Sequence, residues 1–233
     1  MIKTLSSYTN DVLHLFFPHH CEGCGSDVVK DSQLLCLQCH AKLPETGFFK
    51  LPGNPVEKNF YGRMHIEAGG AAYYFTKDSL MSHLITELKY HGKKEIGEYL
   101  GRMTGQHLKQ ADRFYSVDCI VPLPLNPKKQ QKRGYNQAVA IAEGLSTIIE
   151  KPVVHTAVER KLFTETQTKE DRVHRWQTMQ EVFAVKDPSM LENKHVLLVD
   201  DIVTTGATLE ACGAEMLKVP GLKLSIATVC WTI

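Results

Sequence analysis

From residue 70 to the end of the chain, short apolar runs alternate with segments of helical period, and that alternation leaves few folds open. The runs GGAAYYF, VDCIVPL, PVVHTAV, HVLLVD and KLSIATVCW have strand length. DSLMSHLITELKYHG, KKEIGEYLGRMTGQHLKQ, NQAVAIAEGLSTIIE and GATLEACGAEMLKV read as helices. Strands this apolar need cover on both faces, so the expected class is α/β, a parallel sheet flanked by helices. Ahead of it, residues 1–45 hold a cysteine cluster. Residues 46–69 are rich in Gly, Pro and Asn with interspersed aromatics, and read as a linker that packs somewhere.

Composition excludes more than it assigns. The 233 residues are 43% hydrophobic and 23% charged with a formal net charge of +1, which rules out a disordered chain. So small a net charge makes no global case for nucleic-acid binding, and any basic surface must be local. No apolar run approaches the roughly 18 residues of a membrane span. VLHLFF is too short for a signal segment, and a cytoplasmic location is expected.

The stretch HVLLVDDIVTTGATLEAC, residues 195–212, concentrates chemistry. Asp200 and Asp201 directly follow an apolar run, at the carboxyl end of a strand, where open α/β sheets bind their ligands. Two carboxylates there suit ribose hydroxyls as acceptors, or Mg²⁺ held directly or through its waters. Thr204, Thr205, Gly206, Ala207 and Thr208 then open a helix whose N–H groups and hydroxyls can cradle a phosphate, with Gly206 permitting close approach. An isolated Asp-Asp would read more simply as a cap on the following helix. The whole set at this spacing describes a ribose 5-phosphate pocket.

The stretch VLLVDDIVTTGATL resembles the phosphoribosyl pyrophosphate (PRPP) motif of type I phosphoribosyltransferases. LKYHGKKEIGEYLGR (88–102), VPLPLNPKKQQKRGYNQAVAIAEGL (121–145) and RKLFTETQTKEDRVHRWQTMQEVFAV (160–185) accompany it in order. Together they resemble the ComF/GntX family of competence-associated, phosphoribosyltransferase-like proteins along essentially the whole chain. The resemblance implies the type I phosphoribosyltransferase fold with a small amino-terminal zinc ribbon. It implies that Asp200 and Asp201 face the ribose hydroxyls and that residues 204–208 wrap the 5′-phosphate. Lys89 and Tyr90, ahead of Gly92, fall in the family's pyrophosphate loop; on their own chemistry they read equally well as the cation-bearing end of a helix. Arg133, Asn136 and Gln137 match the family's Arg-Gly-aromatic-Asn-Gln motif. The preceding Lys128, Lys129 and Lys132 form a basic loop that could meet a polyanion, a nucleic-acid backbone or only solvent. Arg160, Thr166, Gln167 and Arg172 lie in a polar connection that is either a flap over the site or a surface excursion, and Gln167 is carried as a candidate ligand contact. Thr178 stands where many relatives have Asn.

Cys21, Cys24, Cys36 and Cys39 are spaced Cys-x₂-Cys-x₁₁-Cys-x₂-Cys. Two knuckles presenting four thiolates are the pattern of a structural Zn²⁺ site; a redox pair lacks a thioredoxin-like context, and iron–sulfur clusters usually space their ligands differently. The lone Cys119, Cys212 and Cys230 sit in apolar surroundings and are expected to be core residues.

Functionally, the resemblance implies PRPP bound with Mg²⁺ and, if the chain is an enzyme, pentosyl transfer with release of pyrophosphate. Such chemistry needs electrostatic positioning more than a strong base, and no residue signals the acceptor. An amidophosphoribosyltransferase is not expected, because nothing here reads as a glutaminase half. A role in DNA uptake or processing is implied. The alternative is a non-catalytic, PRPP-responsive module that contacts single-stranded DNA or DNA-uptake proteins. It lacks the basic, aromatic strand face that stacks bases.

Overall fold

Four parallel strands carry the larger part of the chain in the computed structural model, which describes residues 19–29, 33–161 and 182–233. The chain divides into two compact units, residues 1–43 and 44–233. In the first, a helix α1 (Leu37–Ala41) starts within the second cysteine knuckle and carries Cys39. In the second, the order is α2 (Pro55–Lys58), β1 (Ala68–Phe75), α3 (Leu80–Tyr90), α4 (Lys94–Lys109), β2 (Cys119–Pro122), α5 (Pro127–Arg133), α6 (Gln137–Ile149), β3 (Val158–Arg160), β4 (Phe183–Val185), β5 (His195–Val203), α7 (Ala207–Met216) and β6 (Lys223–Thr232).

The main sheet runs β1-β6-β5-β2. Val196, Leu197, Leu198 and Val199 are all fully buried, as a central strand covered on both faces requires. Successive side chains point to opposite faces. Val196 and Leu198 join Leu209, Cys212 and Met216 of α7 and Phe183 of β4 in one core cluster, and α4 and α6 also pack against the strands. Cys119, Cys212 and Cys230 are buried within this unit, as their apolar surroundings predict. No helix among the described residues is long and apolar enough to cross a membrane.

Helices α4 and α6 approach closely enough that glycine is required at the crossing. A Cβ at Gly101 would fall on the carbonyl oxygen of Ile141, and one at Gly144 on that of Glu98. Backbone cannot yield as a flexible side chain does. Gly101→Ala is therefore expected to destabilise the larger unit by roughly 1–3 kcal/mol, the usual range for overpacking. Thermal unfolding would register this as a drop of about 2–4 °C per kcal/mol.

Three features differ from the sequence reading. PVVHTAV is not a strand of the sheet: Val153 makes a single parallel bridge to Ile120, and residues 155–157 bend away. Pro152 has no N–H to extend the ladder, although its carbonyl accepts from Ile120 N at 2.9 Å. The polar connection after it is bracketed by β3 and β4, an antiparallel ribbon too short to stand out by pattern. The basic stretch 127–133 is not a loop but α5, with Asn126 capping Lys128 N, Pro127 in the first turn and Gly134 left-handed at its end. It buries none of its residues, so no hydrophobic period announced it. The stretch 46–69, read as a linker that packs somewhere, packs into the larger unit's core. Phe48, Val56 and Phe60 are buried in the cluster, and Asn54 Nδ2 donates to the carbonyls of Phe48, Leu51 and Gly69.

Candidate functional site

The acidic pair does not end β5 but lies inside it. The strand continues to Val203 because β6 is ten residues long and keeps pairing, Asp200 opposite Thr228, Ile202 opposite Cys230 and Val203 opposite Trp231. Adjacent strand residues face opposite sides, so the two carboxylates enter different surroundings.

Asp201 is 3% exposed and sits among groups from two helices. Its Oδ2 pairs by charge with the Lys89 ammonium at the end of α3, without a hydrogen bond of good angle. Its Oδ1 accepts from Gln137 Nε2 at 3.3 Å. The Arg133 guanidinium donates to Gln137 Oε1 and lies over the Tyr90 ring, 5.7 Å from the centroid. Tyr135 OH donates to the Leu88 carbonyl, tying the turn after α5 to the last turn of α3. That tie explains why residues 89–90 and 133–137 meet although separated by more than forty positions. Lys89, Tyr90, Arg133, Gln137 and Asp201 therefore form one network.

Asp200, half-buried, faces the other side. Its Oδ1 accepts from Asp201 N at 2.8 Å. Burial, then the neighbouring Asp201 charge, push its carboxyl well above the ordinary range, and Lys89 opposes this only in part. Arg160 of β3 supplies a second cation within electrostatic reach: burial depresses its pKa while the Asp200 charge works the other way. Its guanidinium lies 5.3 Å from the centre of the Phe183 ring.

Past the strand, Thr204 and Thr205 are exposed, and Gly206 is left-handed at φ 75° just before Ala207 and Thr208 begin α7. Asn59 Nδ2 donates to Thr204 O at 2.8 Å and Arg63 Nη1 to Thr205 O at 2.9 Å; Arg63 also pairs with Glu210. A Cβ at Gly206 would strike the Phe60 ring at 2.8 Å. These three residues come from the stretch read as a linker. No local signal in the sequence marks them, because their partners lie more than 140 positions away.

Asn136 is not part of this network. Its side chain caps α6 by accepting from Ala138 N at 3.0 Å, and its Nδ2 donates to Leu123 O at 2.9 Å. Gln167, with Thr166, Arg172 and Thr178, lies outside the described residues.

In the smaller unit, the thiols of Cys21, Cys24, Cys36 and Cys39 lie within 4.8 Å of one another, an arrangement that could hold a metal ion. Gly25, left-handed at φ 72°, turns the first knuckle, and Cys36 caps α1. Cys36 N donates to Cys21 Sγ at 3.2 Å and Gly23 N at 3.4 Å. Burial resists ionisation of Cys21, but backbone N–H groups of Cys36, Cys24 and Gly23 outweigh it and bring the thiol down to about 6. Burial and the surrounding thiols push Cys39 up to about 12.

Residues 133–231 match the model of the phosphoribosyl transferase domain. Competence protein F of Haemophilus influenzae is 30% identical over 153 residues, covering 61% of this chain and 67% of the relative. This chain belongs to the ComF family. DNA utilization protein YhgH of Escherichia coli is 28% identical over 156 residues, 66% of this chain and 68% of the relative. Among solved structures, glutamine PRPP amidotransferase from B. subtilis, complexed with ADP and GMP, aligns at 14% identity over 62% of this chain and 30% of that one, with a TM-score of 0.45. As a ComF-family member, the chain has the type I phosphoribosyltransferase fold, with β5, the loop after it and α7 inside the matched segment.

Proposed function

We propose that this chain binds PRPP together with Mg²⁺ at the carboxyl end of β5, and that it serves DNA uptake or DNA processing. The observation that carries the proposal is the Lys89–Asp201 pair near the carboxyl end of β5, next to Asp200 and followed at once by exposed Thr204 and Thr205 ahead of α7. Carboxylates for ribose hydroxyls, a cation for a pyrophosphate and free helix-start amides for a 5′-phosphate are the parts such a ligand requires. In this reading Lys89 exchanges its partner, leaving Asp201 for a phosphate oxygen. Arg133 and Gln137 hold the turn that flanks it. Asn136 contributes by fixing the start of α6, and Gln167 is kept as a candidate ligand contact.

The donors fit the ions. Asp200 and Asp201 offer hard oxygens, and Asp201 Oδ2 is a buried oxygen without a hydrogen-bond partner. They would hold Mg²⁺ directly or through its waters, and the ion when bound supplies neutralising charge for the pyrophosphate. Four thiolates converging on one point are the donor set of structural Zn²⁺, held by Cys21, Cys24, Cys36 and Cys39. The DNA role rests on the names of two relatives, a competence protein and a DNA utilization protein. Single-stranded DNA and DNA-uptake proteins are the partners to test, with exposed Lys128 and Lys129 of α5 as contacts. A cytoplasmic location belongs to the same reading.

Calorimetric titration with PRPP and Mg²⁺ tests it. Binding is expected to the parent protein and to fall at least about a hundredfold, roughly 2.7 kcal/mol, in Asp200→Asn/Asp201→Asn. A folded parent that ignores PRPP would end this reading. Binding to single-stranded DNA with a steep salt dependence carried by Lys128, Lys129 and Arg133 would then replace it.

A further inference from the structure

The backbone of the loop between β5 and α7 is held from behind. Thr204 O accepts from Asn59, and Thr205 O accepts from Arg63, whose guanidinium also reaches Asn59 O at 2.9 Å and Glu210. In a trans peptide the carbonyl and the following N–H point in opposite directions, and this chain has no cis bonds among its described residues. Drawing the carbonyls of 204 and 205 toward Asn59 and Arg63 therefore turns the N–H groups of Thr205 and Gly206 away from them. Neither amide has an acceptor among the described residues. The Phe60 ring, packed where a Gly206 Cβ would be, closes the same side of the loop.

We propose that Asn59 and Arg63 are positioning residues: they preset the amides of Thr205 and Gly206 to receive the terminal phosphate of a phosphorylated ribose. The proposal rests on the reading of loop 204–208 as a phosphate cradle and adds what prepares it. Peptides that must rotate on binding cost affinity, and peptides already turned do not. It also gives residues 59–63 a purpose beyond core packing. Asn59 and Arg63 act through the loop backbone that they hold. Their action is confined to the 5′-phosphate end, since Lys89 and Arg133 lie on other elements.

Two probes separate the possibilities: ribose 5-phosphate and inorganic pyrophosphate, each titrated with Mg²⁺ into the full zinc-loaded chain. Asn59→Ala and Arg63→Ala are each expected to weaken ribose 5-phosphate by about tenfold, the effect of roughly 1.4 kcal/mol. Pyrophosphate affinity and the thermal midpoint should stay within about twofold and about 2 °C. Free guanidinium at low millimolar concentration should restore part of the loss in Arg63→Ala and none in Asn59→Ala. That rescue also separates positioning from a general lesion should pyrophosphate alone fail to bind. Unchanged ribose 5-phosphate affinity in both variants would overturn the positioning role and leave the pocket standing. Equal loss of both probes, or a lowered midpoint without rescue, would reduce the two residues to structural supports. A folded parent that does not bind ribose 5-phosphate would overturn the phosphate reading and this proposal together. Should Arg63→Ala not fold, Asn59→Ala alone decides.

Discussion

Asp200→Asn is expected to make the ligand-free protein more stable while destroying its use of the ligand. The Asp200 carboxyl is held well above its ordinary range, first by burial and then by the Asp201 charge beside it. In the unfolded chain it ionises near the usual value of about 3.9. Below that pH both states are protonated and the residue makes no difference. As pH rises, the unfolded state ionises first, so stability falls until the folded carboxyl has also ionised. The amide of asparagine never carries this charge. The gap in unfolding midpoint between variant and parent should therefore be smallest around pH 4 and widen as pH rises above it, by about 2–4 °C for each kcal/mol relieved.

Adding Mg²⁺ with PRPP should reverse the order, because only the parent has the charge that the ligand complex uses. Ligand at a hundred times its dissociation constant stabilises by about 2.7 kcal/mol, enough to be plain in a melt. A variant that is less stable than the parent at pH 7, or a gap that does not change with pH, would mean that Asp200 is an ordinary structural carboxylate. The site as a whole follows the same logic. Two adjacent like charges are a poor fit inside a largely buried strand, and they make sense where a cation or a donor-rich ligand completes the surroundings.

Much of this site could be read from the sequence because its parts are neighbours along the chain. Asp200 to Thr208 fall within nine residues, so residue types and spacing alone suggest the chemistry. The cysteines are legible for the same reason. What escaped was whatever depends on a partner distant in sequence. The reach of β5 through both aspartates is set by the length of β6, not by its own residues. The Lys89–Asp201 pair and the Gln137–Asp201 bond span more than sixty positions, and each half looks ordinary by itself. Asn59, Phe60 and Arg63 were hidden in a Gly- and Pro-rich stretch whose composition resembles a linker, although it carries the bonds that brace the loop. In α5 the signals were local and present, Asn126-Pro127 at its start and Gly134 at its end, but a helix that buries nothing has no apolar period to confirm them.

Removal of the metal is expected to unfold the smaller unit and leave the larger one standing. Residues 19–43 have few large apolar side chains to bury, and three of the four cysteines are themselves among the buried residues. A unit of this size takes its stability from the ion, and binding free energies for such sites are on the order of 10–16 kcal/mol near neutral pH. The core cluster of the larger unit, among the described residues, runs from Phe48 to Ile226. A strong chelator should thus release one zinc per chain, expose residues 19–43 to limited proteolysis, and leave the main thermal transition in place. Cys39→Ser should give the same pattern without chelator. The thiols also set a pH dependence. Cys39, pushed up to about 12 without metal, must lose its proton to become a ligand, so zinc binding should release protons and tighten as pH rises from 6 to 8. Resistance of residues 19–43 to proteolysis after complete metal removal would show that the cysteines are only a packed cluster. A visible charge-transfer band with bound iron would point instead to an iron–sulfur site and to redox chemistry that four zinc-held thiolates do not perform.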